Sequence, residues 1–128
     1  MPITFKVKNE NNYFISVWEG SISDDEVYES YKKFYTSNEW SKNLNELVDL
    51  SNANVENITG RGLTRLAKYV ENHFAMHKVT SSKTSVYSPN DIPFGLARVY
   101  EAWTSESPEE IRVFRNEKEA LNWLDNNI

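Results

Sequence analysis

The run Glu46-Leu47-Val48-Asp49-Leu50-Ser51, followed nine residues later by Gly60-Arg61-Gly62-Leu63 and a helix-patterned segment, constrains the fold more than any other part of the chain. An apolar run that ends in polar residues reads as a buried strand, and a glycine-rich start to the next helix sets main-chain N–H groups near the carboxyl end of that strand. A βα unit of this kind belongs to an α/β sheet, and its crevice can take an anion or a ligand head group.

The flanking segments extend the pattern. Ile3, Phe5 and Val7 alternate with Thr4, Lys6 and Lys8, the period of a strand with one wet face; Asn9 to Asn12 form a turn, and Tyr13 to Glu19 a second strand. Ser23 and Glu26 form a capping box for a first helix carrying Val27, Tyr31, Phe34 and Tyr35, with Asp24 and Asp25 at its start and Lys32 and Lys33 toward its end. Leu44 to Leu50 is the third strand, and Leu63, Leu66, Ala67, Val70 and Phe74 stripe a second helix ending near Met76. Lys83 to Ser88 is a fourth strand, Pro93 begins a third helix with Phe94, Ala97, Tyr100 and Trp103, and Ile111 to Arg115 is a fifth strand. Asn116 and Glu119 cap a last helix whose stripe is Ala120, Leu121, Leu124 and Ile128. The expectation is a five-stranded, mostly parallel sheet with an antiparallel N-terminal edge strand and four helices, in one domain over residues 1–128. Asn38 to Asn43 and Ser51 to Arg61 are the expected flexible loops.

This element order resembles the STAS domains of anti-sigma-factor antagonists, and more closely the SpoIIAA-like family of small bacterial proteins. Three stretches carry the resemblance: Leu47-Val48-Asp49-Leu50-Ser51, Phe94 to Glu101, and Val113-Phe114-Arg115 followed by Glu119-Ala120-Leu121-Asn122-Trp123-Leu124. The resemblance implies a (βα)n superhelix with sequential parallel strands adjacent, acting by binding a partner protein or a ligand. It also implies a link with lipid-binding folds, hence a carrier or sensor of an amphipathic, lipid-like ligand, membrane-associated or not, as the alternative. In the antagonists the loop after the corresponding strand holds an Asp-Ser-Ser-Gly pattern whose second serine is phosphorylated. Counted from Asp49, that pattern falls on Asn57-Ile58-Thr59-Gly60, where only Thr59 and Gly60 match. Thr59 is therefore expected to cap the second helix and not to serve as a phosphosite.

Composition narrows the functions. A formal net charge of -5 opposes binding to nucleic acid, and the absence of cysteine excludes disulfides, thiolate metal sites and a cysteine nucleophile. No apolar run is long enough to span a bilayer, so the expected setting is the cytoplasm. His73 and His77 stand four apart, a metal-ligand spacing with nothing to complete it, and neither a metal nor another cofactor is expected. Arg61, Arg65 and Lys68 follow the polar side of the second helix as an anion contact or a solvated face. Trp18-Glu19, Ser51-Asn52, Ser88-Asn90-Asp91 and Arg115-Asn116 gather at the strand ends where open α/β sheets bind ligands.

The expected binding residues are thus Thr59, Gly60, Arg61, Gly62 and Ser51, with Trp18 or Tyr100 as an apolar wall, and an acidic amphipathic molecule as the suitable ligand. Asp49, Glu19 and Glu101 are available acids, but no nucleophile–base spacing, phosphate loop or dinucleotide fingerprint accompanies them, so no catalytic residue is assigned and no enzyme is expected. A regulatory protein partner and a homodimer both fit a binding role.

Overall fold

A computed structural model describes residues 2–104 and 107–125. The element order is β1 (Ile3–Lys8), a short 3-10 turn (Asn9–Asn11), β2 (Tyr13–Ser21), α1 (Asp24–Tyr35), β3 (Asn45–Asn54), α2 (Gly60–Met76), β4 (Ser82–Tyr87), α3 (Asp91–Trp103), β5 (Glu109–Phe114) and α4 (Glu117–Asp125). The sheet runs β1-β2-β3-β4-β5. β1 is antiparallel to β2, with Ile3 opposite Trp18 and Val7 opposite Phe14, and the remaining pairs are parallel. The mixed α/β sheet with an antiparallel edge and four helices is therefore the fold the hydrophobic pattern specifies. The tail of the last helix stripe, Ile128, lies outside the described residues.

α1, α2 and α3 cover one face of the sheet and α4 the other. The first face packs Ile3, Phe14, Trp18, Val48, Leu50 and Val86 of the sheet against Val27, Tyr31 and Phe34 of α1 and Leu63, Leu66 and Val70 of α2. The second is smaller and sets Leu47 against Ala120 and Leu124. β3 is covered on both faces, which is why it reads as a nearly continuous apolar run.

Local chemistry sets the boundaries. The Ser23 hydroxyl accepts from the Glu26 N–H at 3.2 Å while the Glu26 carboxylate accepts from the Ser23 N–H at 2.9 Å, the reciprocal box expected at the start of α1. β3 continues past Leu50 to Asn54 because β2 continues beside it, pairing Glu19 with Asn52, Gly20 with Ala53 and Ser21 with Asn54 after an irregularity between Val17 and Glu19. The expected long loop shrinks to residues 55–59, anchored by buried Val55 and Ile58. α3 begins at Asp91, so Pro93 falls inside the first turn, where its missing N–H would have no helical partner. β5 starts at Glu109, before the apolar run that marks it in the sequence.

Seating differs among the helices. α2 buries Gly62, Leu63, Leu66, Val70, His73 and Phe74, whereas α3 buries only Pro93 and presents Leu96, Ala97 and Tyr100 half-buried toward the sheet. Ile92, Val99 and Trp103 point outward from α3 at 75%, 43% and 52% exposure, an apolar stripe on its outer side. α3 is thus apolar on two sides and shallowly held.

Candidate functional site

Between the sheet and α1, α2 and α3 lies a cavity of about 70 Å³. Its walls are largely apolar: Val48, Leu50, Val55, Leu63, Leu66 and Val86 are among them, with Pro93, Leu96 and Ala97 of α3 forming one side. Polar groups collect at the amino-terminal ends of the parallel strands. Glu46 is the second residue of β3, Thr84 lies in register with it on β4, and Ile111 follows on β5, two residues after Glu109. Glu46, Thr84 and Glu109 therefore share the face that the cavity covers, and all three line it.

The two carboxyls are held differently. Glu46 Oε2 accepts from the Tyr31 hydroxyl at 2.5 Å and from Ser16 Oγ at 2.7 Å, and these two hydroxyls are themselves 3.1 Å apart. Glu109 Oε2 accepts from Thr84 Oγ1. Both glutamates are buried, at 5% and 6% exposure. Burial penalises their charged forms, so Glu46 is pushed up to about 7 against the opposing hydrogen bonds of Tyr31 and Ser16, with Glu109 adding a smaller upward push. Glu109 is likewise raised by burial, opposed by Thr84.

Aromatic rings enclose this polar end. Trp18, Tyr31, Tyr35 and Tyr100 all line the cavity, with ring centroids 6.1 Å apart for Trp18–Tyr31 and 6.0 Å for Tyr31–Tyr35. Burial and the nearby carboxyls hold all three phenols well above their usual range, so they are neutral hydrogen-bonding groups. The Trp18 indole N–H lies beside the Tyr31 hydroxyl and has no hydrogen-bond partner among the described residues. The cavity is a greasy slot with an aromatic and acidic end, and among the described residues no lysine, arginine or histidine lines it.

The residues picked from the sequence divide between this cavity and a separate place. Trp18 and Tyr100 line it; Thr59, Gly60, Arg61, Gly62 and Ser51 do not. At the start of α2 the expected anion site already holds a protein carboxylate. Asp24 Oδ1 accepts from the Thr59 N–H at 2.9 Å, Asp24 Oδ2 from the Thr59 hydroxyl at 2.6 Å, and the Thr59 hydroxyl accepts from the Gly62 N–H at 3.0 Å. Thr59 is thus the helix cap, and Gly62 is glycine because a Cβ there would sit 2.0 Å from Asp24 Oδ1. Arg61 is exposed. Ser51 donates to Asp49 Oδ1 through both its N–H and its hydroxyl, at 2.9 and 2.6 Å.

Other sequence candidates are also dispersed. Glu101 pairs with Arg98 at 3.2 Å and Glu19 is exposed. Of the α2 cations, Arg65 pairs with Asp25 at 2.8 Å and lies 3.7 Å from the centre of the Tyr28 ring. His73 is buried among Tyr35, Trp40 and Tyr69, with its ring 4.3 Å from that of His77. No group of three or more metal-binding side chains forms among the described residues.

Glu46 and Glu109 were the residues that sequence reasoning missed. The signal was the two-residue period: Glu46-Val48-Leu50 and Glu109-Ile111-Val113 are in-facing sets, and each carries its acid at the same end.

The architecture has a counterpart among solved structures. An uncharacterised protein from the DUF3478 family, with a SpoIIAA-like fold, from Shewanella loihica PV-4, superimposes with a TM-score of 0.61 at 14% identity, over 95% of this chain and 91% of that one. No protein-family model matches the chain, and no curated protein matches it. No helix among the described residues is long and apolar enough to cross a membrane. The chain has a SpoIIAA-like fold.

Proposed function

We propose that the chain is a single SpoIIAA-like domain that acts by binding a small amphipathic ligand in the cavity under α3, without chemistry of its own, in the cytoplasm. One observation carries this reading: two carboxyls, three tyrosines and a tryptophan are gathered at one end of an otherwise apolar cavity. An ordinary core has no use for such an end, since burying a carboxyl costs several kcal/mol unless it is neutralised or paired. Proteins spend a few convergent polar groups in an apolar pocket where they must orient a ligand.

The position of α3 supports a regulatory role. Its inner side roofs the cavity through Pro93, Leu96, Ala97 and Tyr100, and its outer side offers Ile92, Val99 and Trp103 to a partner protein or a lipid surface. An occupant pressing on the inner side shifts how the outer stripe is presented, and by linkage a partner on the outer stripe changes ligand affinity by the same factor.

Native mass spectrometry of protein isolated from its own host tests the reading, paired with an Ala97→Leu variant that fills the cavity from α3. A small molecule retained by the natural protein and lost from the variant supports it. Bare protein in both samples, together with an unchanged thermal midpoint in the presence of short-chain alcohols, amines and acids, refutes it.

A further inference from the structure

The charge of the ligand is legible in the cavity wall. Among the described residues, every ionisable group that lines the cavity is an acid or a phenol: Glu46 from β3, Glu109 from β5, Tyr31 and Tyr35 from α1 and Tyr100 from α3. β2 contributes Ser16 to Glu46 and Trp18 to the wall, β4 contributes Thr84 and Val86, and α2 turns Leu63, Leu66 and Val70 toward the cavity. An anionic head group would meet two carboxyls and no cation. A cationic one would meet two carboxyl acceptors and the faces of electron-rich rings, which attract ammonium groups within about 6 Å.

The hydrogen bonds support the same sign. Ser16 and Tyr31 both donate to Oε2 of Glu46, and Thr84 donates to Oε2 of Glu109, so each acid serves as an acceptor in the wall. To two buried acceptors a primary ammonium brings three N–H donors and a positive charge. Two carboxylates close together do not both ionise readily, but a cation placed between them favours the ionised form of at least one.

Resting on the reading of the cavity as a ligand site, we propose that it binds a small primary amine with an apolar tail, the ammonium seated between Glu46 and Glu109 within the Trp18, Tyr31, Tyr35 and Tyr100 rings, and the tail along Leu50, Leu66 and Leu96. The size agrees with a short chain, because about 70 Å³ is roughly half of an engineered cavity of about 150 Å³ that holds benzene. The occupancy should depend on pH in a defined sense. Entry of the cation needs an ionised partner, and burial keeps Glu46 protonated up to about pH 7, so amine affinity rises as the pH climbs through that value.

The probes are n-butylamine, n-butanol and butyrate, matched in length and differing in charge, titrated against the natural chain at pH 5.5 and pH 8 with tryptophan fluorescence and calorimetry. The expected result is n-butylamine binding at least tenfold tighter than n-butanol at pH 8, with that margin shrinking at least tenfold at pH 5.5. Butyrate should bind most weakly at pH 8. Glu46→Gln and Glu109→Gln should each erase most of the preference for amine while keeping a cooperative urea transition and the far-UV circular dichroism of the natural chain, which separates loss of charge recognition from loss of folding. If n-butanol binds as well as n-butylamine, or butyrate binds best, the amine assignment is overturned while the cavity stays a ligand site. If none of the three binds at either pH, both the assignment and the ligand-site reading fall.

Discussion

Glu46→Gln should abolish a pH dependence of stability that the natural chain carries in its core. The carboxyl is pushed from 4.5 up to about 7 by burial, outweighing the Tyr31 and Ser16 hydrogen bonds that favour its charged form. The folded state therefore holds this proton more tightly than the unfolded state does. Stability from the group is complete below the unfolded value near 4.5 and is lost as the pH rises to about 7, with no further change above. A shift of this size corresponds to roughly 3 kcal/mol, at 1.36 kcal/mol per unit. Glutamine is neutral throughout, and its amide oxygen can still accept from Tyr31 and Ser16. Urea denaturation of both proteins from pH 4.5 to 8 should show similar unfolding free energies at the acid end and a variant about 3 kcal/mol more stable at the basic end, with unchanged m-values. The comparison cancels the general self-repulsion of an acidic chain, which both proteins share. Glu109, raised in the same direction, gives the variant a residual slope that Glu109→Gln should remove. Parallel pH profiles for natural chain and variant, within about 0.5 kcal/mol, would refute the burial argument.

Ser23→Ala should cost about 1 kcal/mol in thermal or urea unfolding, because it removes one half of the capping box at α1. Gly62→Ala should destabilise by about 1–3 kcal/mol: the new methyl displaces Asp24, and Thr59 then loses the acceptor for both its N–H and its hydroxyl. Thr59 should carry no stoichiometric phosphate when intact mass is measured on protein from growing and starved host cells, since its hydroxyl points at the Asp24 carboxylate, which would repel a phosphoryl group.

The frame of the fold was legible because each element announces itself locally: the alternation of β1, the Ser23–Glu26 box, the Leu63–Leu66–Val70 stripe, the Asn116 cap that accepts from the Glu119 N–H at 3.1 Å. The site was less so, for three physical reasons. β3 is covered on both faces, so its two in-facing sets, Glu46-Val48-Leu50 and Leu47-Asp49-Ser51, each contain an acid, and the sequence does not say which acid faces the larger core. In the structure Asp49 is satisfied locally by Ser51 and Glu46 by residues from two other elements, a difference of tertiary placement alone. β5 begins with Glu109-Glu110, residues rare in strand interiors, and so reads in the sequence as starting at Ile111. The glycine-rich start of α2 advertises an anion site truthfully, but the anion is Asp24, and nothing local reveals that a side chain 35 residues earlier will arrive there.

The retention of two acids in a small core can be tested against the simpler outcome in which stability alone shapes a sequence. Replacing a buried ionisable group by an apolar one of similar volume is often neutral or stabilising by about 1–4 kcal/mol, and Glu46 offers such a replacement in methionine. The hydroxyls of Ser16 and Tyr31, deprived of their carboxyl, are already 3.1 Å apart and can bond to each other, so the substitution strands at most one donor. Glu46→Met should therefore be at least as stable as the natural chain at pH 8, though less stabilised than Glu46→Gln, which keeps both hydrogen bonds. If the acid serves recognition, the same variant should lose its preference for n-butylamine while gaining stability, the trade expected of a residue kept for function. A Glu46→Met protein that is destabilised at pH 8 by more than about 2 kcal/mol would show instead that the carboxyl is a structural keystone of the Ser16–Tyr31 network, with its place in the cavity wall a consequence of packing.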